Sequence, residues 1–384
     1  GTRAVFQAER FGTVNIGANS VTEVEVETGN PEKITNKVIL PASNITVQGR
    51  SIDVQGTLLA KGGVVNINAL ADANPVGGGL PIRVLLGDTA RIDVSGVDTT
   101  GTMDQNQLVI RFYSEESKDT PLLKGSPLLG QTLYVDARKG TDLFDITPYL
   151  EGQTQTIAQR MSAGGTVNIT SAGDVITKSG SVIDVSGGVI DYAAGVIRES
   201  NLVYNNKIVA ISKADRNTPY NSIADVITIT DPKTGMSESF DLGMGGKYQQ
   251  AYRQGKDAGT VNITSSGGAP VLEGSMVANT RHDITQRSQL PDGGKFNLTV
   301  GSQTLRVADR ANTLDANFQL GSNNTATEAV VDTKMLDNGF NHVQLTSMGD
   351  VVVDKAISTA ANGSVGLKGD NVSINRNITT PGGD

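Results

Sequence analysis

Apolar and polar residues alternate with a period of two through many short segments of this chain. Val167 and Ile169 share one face of such a segment, whereas Asn168 lies on the other face with its threonine neighbours. Alternation of this kind, with β-branched residues on both faces and Gly-Gly pairs at the segment ends, predicts β-strands. Helix signals are weak, and residues 154–161 are the best candidate. We therefore expect an all-β chain.

Two strand-like phrases recur along the chain. Gly-Thr-Val-Asn-Ile, or a near-copy with Val in second place, occupies 12–16, 63–67, 165–169 and 259–263, and Ile-Asp-Val-(Ser/Gln)-Gly occupies 52–56, 92–96 and 183–187. Recurrence of this kind indicates a stacked repeat architecture, here with coils of about 20 residues. We predict a parallel β-helix, a solenoid with a dry Val/Ile/Leu interior and a Thr/Asn/Ser exterior. An antiparallel sandwich or barrel is the alternative, although the Asn-Gly turns that it needs are few.

Two irregular insertions, at about 98–160 and 189–256, interrupt the repeats. The domain prediction is accordingly one β-helical segment over residues 1–384 with these two insertions. All eight tyrosines fall between Tyr113 and Tyr252. Insertions that leave a solenoid often lie on its binding face.

Composition excludes several classes of function. The chain has no cysteine, so disulfides, thiol nucleophiles and zinc–thiolate sites are absent. The net charge of −8 includes no Lys/Arg stripe of the kind that binds nucleic acid. No apolar run approaches the roughly 18 residues of a membrane-spanning helix. We expect neither a nucleic-acid partner nor a membrane-spanning segment.

The order of the repeats and insertions carries a family resemblance. The runs 133–138, 161–167, 173–175, 183–188, 255–261 and 345–351 (for example Leu-Tyr-Val-Asp-Ala-Arg and Met-Ser-Ala-Gly-Gly-Thr-Val) resemble the filamentous-haemagglutinin family of large exoproteins. The resemblance implies a secreted or cell-surface bacterial adhesin with a right-handed β-helical shaft. It also implies two-partner secretion, in which an outer-membrane transporter recognises a part not in this chain. The chain would then be an internal or C-terminal segment.

Repeated carboxylates invite two chemical interpretations. Asp53, Asp93 and Asp184 could belong to a polysaccharide-active enzyme or could bind Ca²⁺ together with aspartates such as Asp174. Because an aspartate recurs in each copy of the phrase, just before a strand ends, a role in a turn or in an outward ladder explains it better. No calcium-repeat or EF-hand spacing occurs, so we expect no cofactor and no metal site.

The two histidines and the Asn-x-Thr/Ser triplets are both interpreted as structural features. His282 and His342 lie far apart in sequence and are expected to be surface residues, so no catalytic residues are predicted and the protein is not expected to be an enzyme. The Asn-x-Thr/Ser triplets, which include Asn168, Asn262 and Asn297, are interpreted as outward asparagine ladders that bond between coils.

The tyrosines of the second insertion are the candidate ligand-binding residues: Tyr192, Tyr204, Tyr220, Tyr248 and Tyr252. Sugar C–H faces lie well on aromatic rings, and the phenol can bond to sugar hydroxyls. The alternative is that these rings build a core for the insertion. The expected function is attachment to extracellular polysaccharide, to a host or neighbouring cell, or within a biofilm. A polysaccharide-active enzyme and a passive spacer shaft remain alternatives.

Overall fold

The computed structural model describes most of the chain. The described residues are 2–8, 12–26, 29, 32–35, 42–71, 79–113, 115–116, 118, 120–224, 226–241, 246–283, 290–309 and 314–382. Small parts of both predicted insertions, at 114, 117, 119, 225 and 242–245, therefore lie outside the described residues.

Short strands dominate the chain, as the period-two pattern predicts. The strands are β1 Arg3–Gln7, β2 Thr13–Ile16, β3 Val21–Glu23, β4 Lys33–Thr35, β5 Asn44–Gly49, β6 Ser51–Val54, β7 Thr57–Leu59, β8 Val64–Ala69, β9 Arg83–Leu86, β10 Arg91–Asp93, β11 Thr99–Gly101, β12 Gln107–Arg111, β13 Thr132–Asp136, β14 Thr154–Thr156, β15 Thr166–Ser171, β16 Asp174–Thr177, β17 Val182–Asp184, β18 Val189–Tyr192 and β19 Gly195–Arg198. The remainder are β20 Asn201–Tyr204, β21 Lys207–Ala210, β22 Ser222–Ile223, β23 Val226–Thr230, β24 Ser237–Asp241, β25 Gly246–Gln249, β26 Tyr252–Gly255, β27 Thr260–Ser265, β28 Val271–Leu272, β29 Ser275–Val277, β30 Gly294–Val300, β31 Thr304–Ala308, β32 Glu328–Asp332, β33 Phe340–Ser347, β34 Val351–Val353, β35 Ile357–Ser358, β36 Ser364–Lys368, β37 Val372–Ile374 and β38 Ile378–Thr379.

Helices are short and few among the described residues. The α-helices are α1 Thr147–Gly152, α2 Ile157–Arg160 and α3 Thr333–Leu336, and 3₁₀ helices lie at Met103–Asn106, Pro121–Leu123 and Ile211–Lys213. The helix expected at 154–161 is thus reduced to its second half, because β14 occupies the first half and pairs with β4.

Three parallel sheets organise the main body of the chain. An eight-stranded sheet has the order β1-β5-β8-β15-β27-β30-β33-β36, and two five-stranded sheets have the orders β2-β6-β9-β16-β28 and β3-β7-β10-β17-β29. From β1 to β29 the chain visits the three sheets in the same sequence five times, for example β5, β6, β7 and then β8, β9, β10. From β30 onwards the large sheet continues beside a four-stranded parallel sheet of order β32-β31-β34-β37. The fold is therefore all-β with long parallel sheets, and the antiparallel pairs lie mostly within the two insertions.

Inward side chains stack in register along the large sheet. Val167 pairs with Val65 on one side and with Val261 on the other, and all three are fully buried. Ile169 repeats this arrangement two residues later. These rows belong to one continuous apolar core, which extends from Ile16 to Ile357. Burial at about 25 cal/mol per Å² of apolar surface makes this core the main stabilising term.

The outward face of the same sheet carries the predicted asparagine ladder. Asn168 Nδ2 donates to Asn66 Oδ1 (2.8 Å), Asn262 Nδ2 donates to Asn168 Oδ1 (2.7 Å), and Asn297 Nδ2 donates to Asn262 Oδ1 (2.7 Å). The two inner amides, Asn168 and Asn262, therefore both donate and accept along the stack. The prediction of outward ladders is confirmed for Asn168, Asn262 and Asn297.

The repeated Gly-Thr-Val-Asn-Ile phrase begins with a glycine whose Cα lies very close to the backbone of the neighbouring copy. A Cβ placed on Gly165 would lie 2.0 Å from the carbonyl oxygen of Gly63, and one on Gly259 would lie 1.8 Å from the carbonyl oxygen of Gly165. Any other residue would push the strand connections apart. The same close contact therefore favours glycine at both positions.

A strap formed by residues 314–326 crosses the outer side of the β6–β9–β16–β28 part of the second sheet. Phe318 and Leu320 of the strap pack with Leu85, Ile176 and Val271 of that sheet in a separate apolar cluster. Three of the outward positions that the strap covers, Leu85, Ile176 and Val271, are thus apolar. The pattern of alternation did not predict this cover.

Candidate functional site

The two insertions share one core of their own. Leu108, Ile110 and Phe112 of the first insertion are buried together with Leu202 and Tyr220 of the second. The outward strands of these insertions pair in antiparallel fashion, β12 with β13 and β20 with β21. The insertions are therefore two parts of one subdomain beside the main core, which residues far apart in sequence build jointly.

Tyr192 and Tyr252 form a stacked pair between β18 and β26. They face each other directly in the antiparallel register, with ring centroids 4.8 Å apart and planes 8° from parallel. The guanidinium of Arg138 lies 5.1 Å from the Tyr252 ring, and the Tyr252 hydroxyl donates to Asn106 Oδ1 (3.1 Å). Burial raises the pKa of both phenols. The stack joins the second insertion to the first.

The other three candidate tyrosines occupy different environments. Tyr204 and Tyr220 meet edge to face, with ring centroids 6.5 Å apart, in the core that the insertions share. Tyr220 is 3% exposed, whereas Tyr248 is 64% exposed on β25. The structure thus brings four of the candidates into two buried or half-buried pairs and leaves Tyr248 separate. Ligand contact stays a prediction, and Tyr248 is the residue with an open ring.

A network of charged groups lies where the insertions meet. Asp136 is fully buried, and Arg138 donates to both of its oxygens, to Oδ1 at 2.9 Å and to Oδ2 at 2.7 Å. Glu199, 5% exposed, accepts from Lys139 Nζ (2.8 Å) and from the Ser212 hydroxyl. A cavity of about 300 Å³ adjoins this network and is lined in part by Lys139 and Ser212. Each carboxylate has a cationic partner, so the network links the insertions without an open reactive group.

Changing Glu199 to Gln is expected to make the free energy of unfolding less sensitive to acid. Burial alone would raise the Glu199 pKa, but the bonds from Lys139 and Ser212 outweigh it and hold the pKa below its ordinary value of 4.5. Since the folded state binds this proton more weakly than the unfolded state, the stabilisation is complete above pH 4.5 and is lost as pH falls through the folded-state pKa. Thermal unfolding should show Glu199→Gln less stable than the parent at neutral pH, with the gap closing in acid. An unchanged gap would contradict this assignment.

Two of the three repeated aspartates, Asp93 and Asp184, form local turns. Asp93 Oδ1 accepts from the Ser95 amide (2.9 Å), and Asp184 Oδ1 accepts from the Ser186 amide (2.8 Å). These bonds to the backbone two residues ahead agree with the predicted turn role. Asp53 differs, because it accepts from the Gln55 side chain (2.7 Å). Within the described ranges no group of three or more His, Cys, Asp or Glu side chains is placed to hold a metal ion.

His342 takes part in a relay that its sequence position did not predict. Its Nε2 lies 2.8 Å from Asp292 Oδ2, and its Nδ1 lies 2.9 Å from Ser364 Oγ. His342 and Ser364 are register partners on β33 and β36, so the parallel sheet brings them together. No spacing motif marks these three residues, which are separated by 22 and 50 positions. The His342 and Ser364 side chains lie on the outward side of the large sheet. His282 is exposed and lies outside the relay.

A groove of about 610 Å³ lies beside the third sheet. Its lining combines acidic and basic groups, among them Glu23, Lys61, Asp98 and Arg281. Lys61 is paired with Asp93, and Arg281 is paired with Asp98. The groove is therefore bordered by ion pairs rather than by aromatic rings.

The fold and these sites are the basis for any proposal about the function of this chain. No protein-family model, curated protein or solved structure matches this chain. In the part of the chain that the structure describes, no helix has the length and apolar character needed to cross a membrane.

Proposed function

We propose that this chain is a right-handed parallel β-helix that serves as the shaft of a secreted or cell-surface bacterial adhesin. In five rounds between β1 and β29 the chain adds one strand to each of its three parallel sheets in a constant order, and from β30 onwards it returns to the large sheet with β33 and β36 while building the β32-β31-β34-β37 sheet. Closure of successive coils around the continuous core would cover both faces that a parallel sheet must protect. The right hand follows the general rule for crossovers between parallel strands.

The observation that carries the adhesive function is the subdomain beside the shaft. The shaft core contains repeated Val, Ile and Leu rows, whereas the subdomain has its own core and exposes Val109, Val196 and Tyr248. A spacer has no need of such a subdomain. We propose that this subdomain attaches the shaft to extracellular polysaccharide, on a neighbouring cell, a host cell or a biofilm matrix. Export would use an outer-membrane two-partner transporter through a part not in this chain.

A glycan array with the parent chain tests the proposal, and Tyr248→Ala is the informative variant because its ring is open. We expect the parent to bind at least one surface polysaccharide and Tyr248→Ala to bind it about tenfold more weakly, as about 1.4 kcal/mol of lost contact would give. Tyr192→Phe is the matched control, since it keeps the buried ring. A parent that binds no polysaccharide would overturn the adhesive function. Release of reducing ends from the bound glycan would favour the polysaccharide-active enzyme instead.

A further inference from the structure

The relay at His342 joins three residues that have the chemistry of an acyl-transfer site. His342 Nε2 lies 2.8 Å from Asp292 Oδ2, and His342 Nδ1 lies 2.9 Å from Ser364 Oγ. A carboxylate only accepts hydrogen bonds, so Asp292 keeps the proton of the imidazole on Nε2 and leaves Nδ1 as an acceptor. The Ser364 hydroxyl therefore donates to a nitrogen base, which is the arrangement that activates a serine nucleophile.

A β-bulge holds the carboxylate of this relay in place. The register between β30 and β33 shifts once, and Asn341 is the extra residue on β33. Asn341 is 5% exposed, and its Nδ2 donates to Asp292 Oδ1 (3.3 Å) and to the Ala361 carbonyl oxygen (3.3 Å). The Asp292 amide donates to Asp257 Oδ1 (2.8 Å), so the backbone of Asp292 is also fixed. The bulge thus leaves the second carboxylate oxygen to His342, and bulges that aim a side chain in this way are common beside active sites.

The chain before Ser364 fits closely against the same asparagine. A Cβ on Gly363 would lie 2.5 Å from Asn341 Oδ1, so glycine lets β36 begin this close to β33. Asn362 has a φ of +63°, the left-handed conformation of a turn residue, immediately before this glycine. Ser364 then pairs in register with His342. The turn and the sheet register together set the serine hydroxyl against the imidazole.

The three side chains are accessible from solvent. His342 and Asp292 have side chains that are 23% and 44% exposed, and Ser364 is partly exposed. Lys295 is the register partner of His342 on β30 and is exposed, so it adds a cation to the same side of the sheet. A positive charge beside a serine nucleophile stabilises the oxyanion that forms when the serine attacks a carbonyl group.

We propose that Ser364 is the nucleophile and His342 the general base of a catalytic site that hydrolyses esters of short acyl groups. This activity is separate from the adhesive function proposed above. The next outward positions on β33 and β36 are Gln344 and Gly366, which offer little apolar surface to a long acyl chain. Asp292 is a positioning residue, because it acts through the imidazole and does not touch the ester.

The reaction has two steps, and water is the only co-reactant. In the first step Ser364 Oγ attacks the ester carbonyl carbon and gives its proton to His342 Nδ1. The bond from this carbon to the alcohol oxygen then breaks, and His342 returns the proton to the leaving alcohol. In the second step water attacks the acyl-serine and gives a proton to His342, which passes it to Ser364 as the carboxylic acid leaves. Asp292 accepts from Nε2 throughout and stabilises the imidazolium that forms in each step.

Labelling of the whole chain by a fluorophosphonate, located by mass spectrometry, tests the nucleophile. Ser364 should be labelled at least about 100-fold faster than the exposed Ser373 of β37, whose register partner is Val352. His342→Ala should slow the labelling about 100-fold or more, and added imidazole should restore part of the rate, which a purely structural role would not allow. Formate should likewise restore part of the rate that Asp292→Ala loses. An unlabelled Ser364, or a labelling rate that ignores His342, would overturn the proposed site.

Hydrolysis of 4-nitrophenyl acetate by the same proteins tests turnover. The parent should release 4-nitrophenol steadily, Ser364→Ala should lose this activity, and the matched control Ser373→Ala should keep it. Thermal unfolding confirms that each variant is folded. Equal turnover by the parent and Ser364→Ala would overturn the esterase activity. That result would leave the adhesive function in place, because the glycan array measures binding at the subdomain and does not depend on Ser364.

Discussion

Replacing Val167 by Asp is expected to unfold the centre of the main core. The side chain of Val167 is fully buried between Val65 and Val261, so a carboxylate there would have no polar partner among its register neighbours. An unpaired buried charge costs at least several kcal/mol, which is a large part of a typical stability of about 5–15 kcal/mol. Thermal unfolding followed by circular dichroism should show a midpoint lower by about 10 °C or more, or no folded baseline.

The same substitution at Thr170 controls for charge and for strand propensity. Thr170 belongs to the same strand but its side chain is exposed on the outward face. Thr170→Asp should therefore lower the midpoint by only a few degrees, since surface substitutions rarely change stability by more than about 0.5 kcal/mol. Similar midpoints for Val167→Asp and the parent would overturn the inward placement of Val167.

The repeated part of the fold could be predicted because its physics is local and recurs. The period of two predicts that Val167 and Ile169 lie on one face of the strand and Asn168 on the other. Because the phrase recurs, equivalent residues of successive copies are expected to lie beside each other. The Asn66–Asn168–Asn262–Asn297 bonds follow from that placement alone. Parallel pairing was also predictable, since short strands recur with similar neighbours.

The parts that depend on contacts between distant residues could not be predicted. His342 meets Asp292 and Ser364 only because β30, β33 and β36 are neighbours in one sheet, and no local pattern states this. The shared core of the two insertions has the same origin. The sequence of each insertion alone shows no regular pattern. Together the two insertions bury Phe112 and Leu202 in one apolar cluster.

The tyrosines show why composition is a weak guide to a binding site. Their concentration marks a region that differs from the repeated part of the chain, but it does not indicate which rings are exposed. Tyr192 and Tyr252 stack on each other, and Tyr220 lies in the shared core, whereas Tyr248 is open. Tyr134 of the first insertion, which is outside the set that the sequence singled out, stacks against the guanidinium of Arg198 in the second insertion.

Replacing Asp174 by Ala is expected to release the strap formed by residues 314–326. Arg83, whose side chain is 2% exposed, donates from Nε and Nη2 to the two oxygens of Asp174 (2.6 and 2.7 Å). Its Nη1 donates to the carbonyl oxygens of Leu320 (3.0 Å) and Ser322 (2.7 Å) in the strap. Without Asp174, the guanidinium would be a buried charge that lacks its counter-ion, at a cost of about 3–5 kcal/mol. Denaturant unfolding should show the loss, and hydrogen exchange should accelerate in the strap.

An exposed pair of the same geometry is the matched control for this prediction. Arg253 donates from Nε and Nη2 to the two oxygens of Asp191 (2.7 and 2.9 Å), but both side chains are nearly half exposed. Asp191→Ala should therefore cost only about 0–1 kcal/mol, because solvent screens the pair. Replacing both buried partners, as Arg83→Met with Asp174→Leu, should recover much of the stability that Asp174→Ala loses, since no charge then remains buried. Equal losses for Asp174→Ala and Asp191→Ala would show that the buried charge does not hold the strap in place.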